Sequence, residues 1–139
     1  SGKLLTIALT PTPSTPNNEA SVLARGIANL ALEKQAQRVI SLDVRGITSI
    51  TDHFVFCSAD TDVQVKAIAD NIRKGTDHKP WRIEGYEQLN WVLLDYVDVV
   101  VHIFRTIERE YYNLESLWSD ATIKKYEDEP EETPSKTAD

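Results

Sequence analysis

Asn90-Trp91-Val92-Leu93-Leu94-Asp95-Tyr96-Val97-Asp98-Val99-Val100-Val101-His102-Ile103-Phe104-Arg105 is the stretch that decides the fold. Two runs rich in β-branched and aromatic residues, Asn90–Tyr96 and Val99–Arg105, are parted only by Val97-Asp98. So short a break demands an antiparallel hairpin, because a parallel crossover needs about a dozen residues or more. Trp81–Glu84 reads as a further strand just upstream. Along the first run Trp91, Leu93 and Asp95 share one face, and Val92, Leu94 and Tyr96 take the other. Both faces carry apolar side chains, so both need cover.

Upstream, Thr61-x-x-Gln64 is a capping box. It opens a helix with Val65, Ile68, Ala69 and Ile72 on one face, which Gly75 should end. Before it lie two strands, Val39–Val44 with Ile40, Leu42 and Val44 inward, and Phe54–Cys57. Asn17 or Asn18 can cap a first helix with Leu23, Ile27, Leu30 and Ala31 at helical spacing. Downstream, Thr106 is the expected cap of a last helix with Ile107, Tyr111, Leu114 and Trp118 in line. On that helix Tyr112 points roughly a hundred degrees away from Tyr111, toward the flank or solvent. The predicted order is helix, two strands, helix, three strands, helix. This is an α+β domain, a single mixed sheet of about five strands with helices packed on it.

The expected boundaries are a flexible, Pro/Thr-rich leader over 1–17, the folded domain over 18–121, and a disordered acidic tail over 122–139. One cysteine, Cys57, among the 139 residues excludes a disulfide framework and a multi-cysteine zinc site. The apolar runs are too short to span a bilayer, and Ser1–Leu9 carries no cleavable signal pattern, so a cytoplasmic, non-membrane protein is expected. The net charge is −7. Residues 119–139 hold seven acids against three bases, and no cluster of Lys and Arg appears elsewhere. Little direct nucleic-acid binding is therefore expected, and a basic protein is the better partner.

Catalytic constellations are hard to assemble. His102 could be paired with Cys57, Asp95 or Asp98 for zinc or nucleophilic chemistry, but a strand histidine hydrogen-bonded to a neighbour fits its setting better. Asp95 and Asp98 could hold Mg²⁺ for nucleotidyl transfer, yet there is no Gly-rich phosphate cradle, and aspartates in a hairpin turn commonly bond local backbone. Cys57 amid Phe54, Val55 and Phe56 behaves as a small hydrophobe. No catalytic, metal or cofactor site is expected. The sheet face bearing Trp91, rimmed by charge, is a candidate binding surface unless the first helix covers it.

The ordered set Leu42-Asp43-Val44, Thr51-Asp52-His53-Phe54-Val55-Phe56-Cys57-Ser58, Gln64-Val65-Lys66-Ala67-Ile68-Ala69-Asp70, Glu84-Gly85 with Trp91-Val92-Leu93-Leu94-Asp95-Tyr96, Asp98-Val99-Val100-Val101-His102-Ile103-Phe104 and Arg109-Glu110-Tyr111-Tyr112-Asn113-Leu114-Glu115-Ser116-Leu117-Trp118 resembles the ribosomal silencing factor (Iojap-related) family. The resemblance covers about Ala28 to Ala121. It implies a nucleotidyltransferase-like fold without that fold's active site, and hence no enzyme. It also implies a translational repressor that binds the large ribosomal subunit through ribosomal protein fourteen and sterically blocks joining of the small subunit. Docking in the family leans on the tryptophan here at Trp91 and the tyrosine at Tyr112. Leu93 extends that face, and Glu84, Asp95 and Glu115 are candidates for complementary rim charge. An exposed apolar sheet face would also permit a homodimer off the ribosome. Two other readings stay open: a large-subunit assembly factor that does not silence, and a metal-dependent nucleotidyltransferase-like enzyme using Asp95 and Asp98. Ala59 and Val63 depart from the family's usual Gly and Arg. Ala59 implies a strand-to-helix turn without positive φ.

Overall fold

The structure, a computed structural model, describes residues 14–126. In chain order the elements are α1 (Ser14–Glu33), β1 (Gln37–Asp43), β2 (His53–Ala59), α2 (Asp62–Gly75), β3 (Arg82–Glu84), β4 (Trp91–Asp95), β5 (Val99–Arg105), α3 (Thr106–Tyr112), a 3₁₀ helix (Leu114–Trp118) and β6 (Thr122–Tyr126). One mixed sheet of six strands runs β3-β4-β5-β2-β1-β6. Its central pair, β2 with β5, is parallel, and every other pair is antiparallel. The α+β architecture and the hairpins expected from the short breaks are both present.

Helices α1 and α2 lie together on one side of the sheet. Ala20, Ala24, Ile27, Ala28 and Ala31 of α1 and Val65, Ile68, Ala69 and Ile72 of α2 close over Val55, Cys57, Val92, Leu94, Val101 and Ile103. Fully burying a Val, Ile or Phe side chain contributes roughly 1.5–3 kcal/mol, so this layer supplies most of the fold's driving force. Leu23 and Leu30, expected inward, are half-buried flanks, and small alanines take the closest contact instead. Thr61 caps α2 as expected, its Oγ1 accepting the Gln64 N–H at 3.2 Å. The reciprocal half of the box is missing. Gln64 instead donates to the Lys34 and Gln35 carbonyls at 2.9 and 3.3 Å, tying the end of α1 to the start of α2. Gly75 does end α2, but the following Thr76 is extended. A Cβ on Gly75 would meet the tip of the Leu30 side chain, which would have to turn aside.

Four expectations need correction. First, α1 begins at Ser14, so Asn17 and Asn18, expected as its cap, lie inside the helix, and residues 1–13 lie outside the described ones. Pro16 is compatible with this because first-turn N–H groups have no intrahelical partner to lose. Second, the segment expected to open the acidic tail, Thr122–Tyr126, is a sixth strand on β1. It is nearly all exposed, so it offers no apolar pattern and depends on its backbone ladder. Residues 127–139 lie outside the described ones. Third, Thr106 does not cap α3. Arg105 precedes the helix without a side-chain cap, and Thr106 donates to Asp60 at 2.8 Å. Fourth, the last helix is not continuous. It stops at Asn113, whose φ of 48° turns the chain, and resumes as a 3₁₀ helix. Ile107 and Tyr111, placed in the core stripe by helical spacing, are therefore exposed, while Leu114 and Trp118 do pack on the sheet. Arg109 is the buried residue of α3.

Candidate docking surface

The second side of the sheet carries Ile40, Leu42, Val44, Phe54, Phe56 and Val100. Helix α1 does not cover it. Cover comes from the 3₁₀ helix, with the Trp118 ring tilted against Phe54 at a ring separation of 5.0 Å. That cover stops short of β4. Cross-strand pairing places Trp91 beside Phe104, Leu93 beside His102 and Glu84, and Asp95 beside Val100 and Arg82. Opposed residues project on one face, so Trp91, Leu93, Asp95 and Glu84 share it.

Trp91 is half-buried. Its indole lies 4.9 Å from the Phe104 ring and 5.0 Å from the Tyr112 ring, and its N–H donates to His102 Nδ1 at 3.0 Å. Tyr112 is 50% exposed, and Tyr111 meets it edge-on at 5.0 Å. The two aromatics singled out from the sequence thus meet where β4 begins and α3 ends. Tyr111 joins them. Helical spacing had assigned it to the core, and only the break at Asn113 releases it.

The acids separate into different settings. Glu84 is exposed on edge strand β3 and paired with Arg82 at 3.0 Å. Asp95 lies at the far end of β4 from Trp91, about 13 Å along the strand at the usual rise. It accepts the Val97 N–H at 2.8 Å and faces Arg82 at 3.6 Å. It thereby supports the tight turn in which Val97 has a φ of 76°. Glu115 turns inward, both its oxygens taken by Arg109 at 3.1 and 2.9 Å. Rim charge was the expectation for Glu115, but its carboxylate belongs to the frame. Burial alone would raise its pKa. Hydrogen bonds and charge from Arg109, with Arg38 adding, outweigh burial and hold it below its ordinary value.

His102 is the hydrogen-bonded strand histidine anticipated from the sequence. It is enclosed by Phe54, Phe56, Phe104 and Trp91, and this burial lowers its pKa to about 4. The neutral imidazole accepts from Trp91 and so fixes the indole's orientation. Because the folded pKa is below the unfolded value, the unfolded chain takes up the proton first. His102's contribution is complete above about pH 6.5 and is lost as pH falls toward 4, by up to roughly 3 kcal/mol. Burial lowers the His53 pKa as well, which adds to the same acid limb. Urea titrations between pH 7 and 4.5 should show this loss, and His102→Gln should flatten it. An unchanged slope in the variant would exclude His102 as the main source.

Ala59 is buried in β2 and has no positive φ, and Val63 is 76% exposed in the first turn of α2. No described helix is long and apolar enough to cross a membrane.

The family model described as "Ribosomal silencing factor during starvation" matches residues 17–139. The chain belongs to the ribosomal silencing factor family. A ribosomal silencing factor from Halalkalibacterium halodurans is 47% identical over 98 residues, covering 67% of this chain and 82% of that protein. One from Bacillus subtilis is 42% identical over 110 residues, covering 76% and 92%. A crystal structure of a protein from Chromobacterium violaceum superposes with a TM-score of 0.66 at 31% identity, covering 73% of this chain and 85% of that one. Silencing factors are ribosome-associated repressors of translation, and these relatives are named as regulators rather than enzymes. The ordered motifs from Leu42 to Trp118 supply the sheet's central strands and the aromatic corner, while the edge strand Thr122–Tyr126 lies beyond them.

Proposed function

We propose that the protein represses translation by seating the Trp91–Tyr112 corner on ribosomal protein fourteen of the large subunit, where its bulk keeps the small subunit from joining. The observation that carries this is the contact of two large, partly exposed aromatic rings at 5.0 Å, each held by a regular element. Rigid aromatic anchors lose little entropy on binding and commonly dominate interface energy. Leu93 continues the apolar surface, and Glu84 and Asp95 at its border, with a net charge of −7, suit a basic partner.

Truncating either ring to Ala should cost on the order of 2 kcal/mol, roughly a thirtyfold loss of affinity for the large subunit. Tyr112→Ala is the cleaner variant because its side chain is half-exposed. Trp91→Ala also removes the His102 hydrogen bond, so its unfolding midpoint is measured alongside. Co-sedimentation with large subunits tests docking, and light scattering of mixed subunits tests the block. Near-wild-type co-sedimentation of Tyr112→Ala would refute the anchor. Docking without any shift toward free subunits would favour the assembly reading over silencing.

A further inference from the structure

Cross-strand pairing puts His102 between Leu93 of β4 and Phe56 of β2, on the side of the sheet that carries Trp91. Its imidazole is packed among rings, with Phe54, Phe56 and Phe104 at 5.4, 5.0 and 6.0 Å and Trp91 at 5.9 Å. Only 7% of the residue is exposed.

The hydrogen bond from Trp91 decides the tautomer. An indole N–H can only donate, so His102 Nδ1, which accepts it at 3.0 Å, carries no proton. The neutral ring therefore holds its one N–H at Nε2. No group among the described residues accepts from that N–H. Yet Nε2 is not sealed. Among the described residues, the side-chain nitrogens both closed to solvent and unpaired are His53 Nε2 and Arg105 Nε. His102 Nε2 is unpaired without being one of them, so it opens to the surface. Helices α1 and α2 close the other side of the sheet, so it opens on the face of Leu93 and Trp91.

Whatever covers this face must accept from that N–H or leave it unpaired in a contact without water. Charge narrows the acceptor. Glu84 and Asp95 border the face and both engage its Arg82, so a further anion would be repelled and a neutral oxygen fits.

We propose that the His102 Nε2–H is a specificity-determining donor in the floor of the docking surface, and that the docked protein presents a neutral carbonyl oxygen to it. This role rests on the docking of the Trp91–Tyr112 corner and adds what two rings cannot supply. Aromatic rings suit many apolar partners, whereas one fixed donor rejects any that arrive without an acceptor in register.

Imidazole NMR of the full chain at pH 7, with nitrogen-labelled histidine, tests this against purified ribosomal protein fourteen. The free protein should show His102 protonated at Nε2 and not at Nδ1. Saturating protein fourteen should move the Nε2–H signal downfield and slow its exchange with water. His102→Asn keeps an oxygen near the Nδ1 position for the Trp91 N–H but places nothing at Nε2. Its affinity for protein fourteen should fall about tenfold while indole emission shows Trp91 still held. If that variant unfolds, the NMR of the unaltered chain decides alone. A proton at Nδ1, or an Nε2–H that stays silent while the Trp91 indole signal responds, overturns the donor role and leaves the docking corner standing. Unweakened binding by a folded His102→Asn, or an Nε2–H response to ribosomal RNA in place of the protein, overturns it equally. No Trp91 response to protein fourteen at all overturns the docking reading and the donor role together.

Discussion

Arg109→Ala is expected to destabilise the protein by about 3–5 kcal/mol, enough to unfold a large fraction of a marginally stable domain. The Arg109 side chain is 1% exposed. Its guanidinium meets Glu115 with two parallel hydrogen bonds and reaches the Arg38 carbonyl at 2.7 Å and Ser58 Oγ at 3.1 Å. One side chain therefore ties α3 to the 3₁₀ helix, to the irregular start of β1 and to the end of β2. Removing it strands a part-buried carboxylate and buried acceptors, which costs more than the pair itself is worth. Urea denaturation measures the loss. A double-mutant cycle with Glu115→Ala should show strong coupling, because the second truncation removes the charge that the first leaves facing only Arg38 at 3.8 Å. Arg109→Lys should recover only part, since an ammonium cannot bridge both carboxylate oxygens while also reaching the backbone. Additive losses in the cycle would refute the frame role. Because Tyr112 ends the same helix, the variants that stay folded should also dock more weakly.

Gly85→Ala should be comparably harmful. Gly85 has a φ of 78°, and a Cβ built there would overlap the backbone carbonyl oxygen of Trp91. The left-handed conformation costs a side chain about 1–2 kcal/mol. Displacing backbone rather than a flexible side chain adds about 1–3 kcal/mol, as overpacking does. The total is about 2–5 kcal/mol by denaturation. Gly46→Ala is the internal control. Its φ is 82° but nothing lies within 4 Å of the added carbon, so only the conformational part should appear. Equal losses at both sites would remove the steric argument. The strain falls on the first residue of β4, so a folded Gly85→Ala protein should bind large subunits less tightly, through a displaced Trp91.

The central hairpin was legible because 90–105 is rich in β-branched and aromatic residues and the breaks are short. Periodicity alone separated Trp91 and Leu93 from Val92 and Leu94, and the two groups do face opposite sides. The clamp of Arg109 on Glu115 was not legible. A spacing of six residues pairs nothing on a continuous helix. It becomes a contact only because Asn113 turns left-handed and folds the chain back. Asparagine tolerates that conformation, so it was the one available hint. The same turn misled the placement of Tyr111 and Ile107. Strand β6 escaped notice for the opposite reason, since its exposed side chains carry no burial signal. Nothing in the structure explains why Val63 occupies the exposed first turn of α2.

The parallel pair at the centre of the sheet also imposes an order in time. It joins residues 53–59 to 99–105, so its ladder cannot zip until the chain between them has been made and its ends brought together. Closing so long a loop loses entropy before any contact is gained, so this pairing is expected to form late in folding. A nascent chain still short of Arg105 therefore holds Phe54 and Phe56 without their lid. Until Trp118 has emerged from the synthesising machine, that half-built sheet is at its most vulnerable to sticking to other chains.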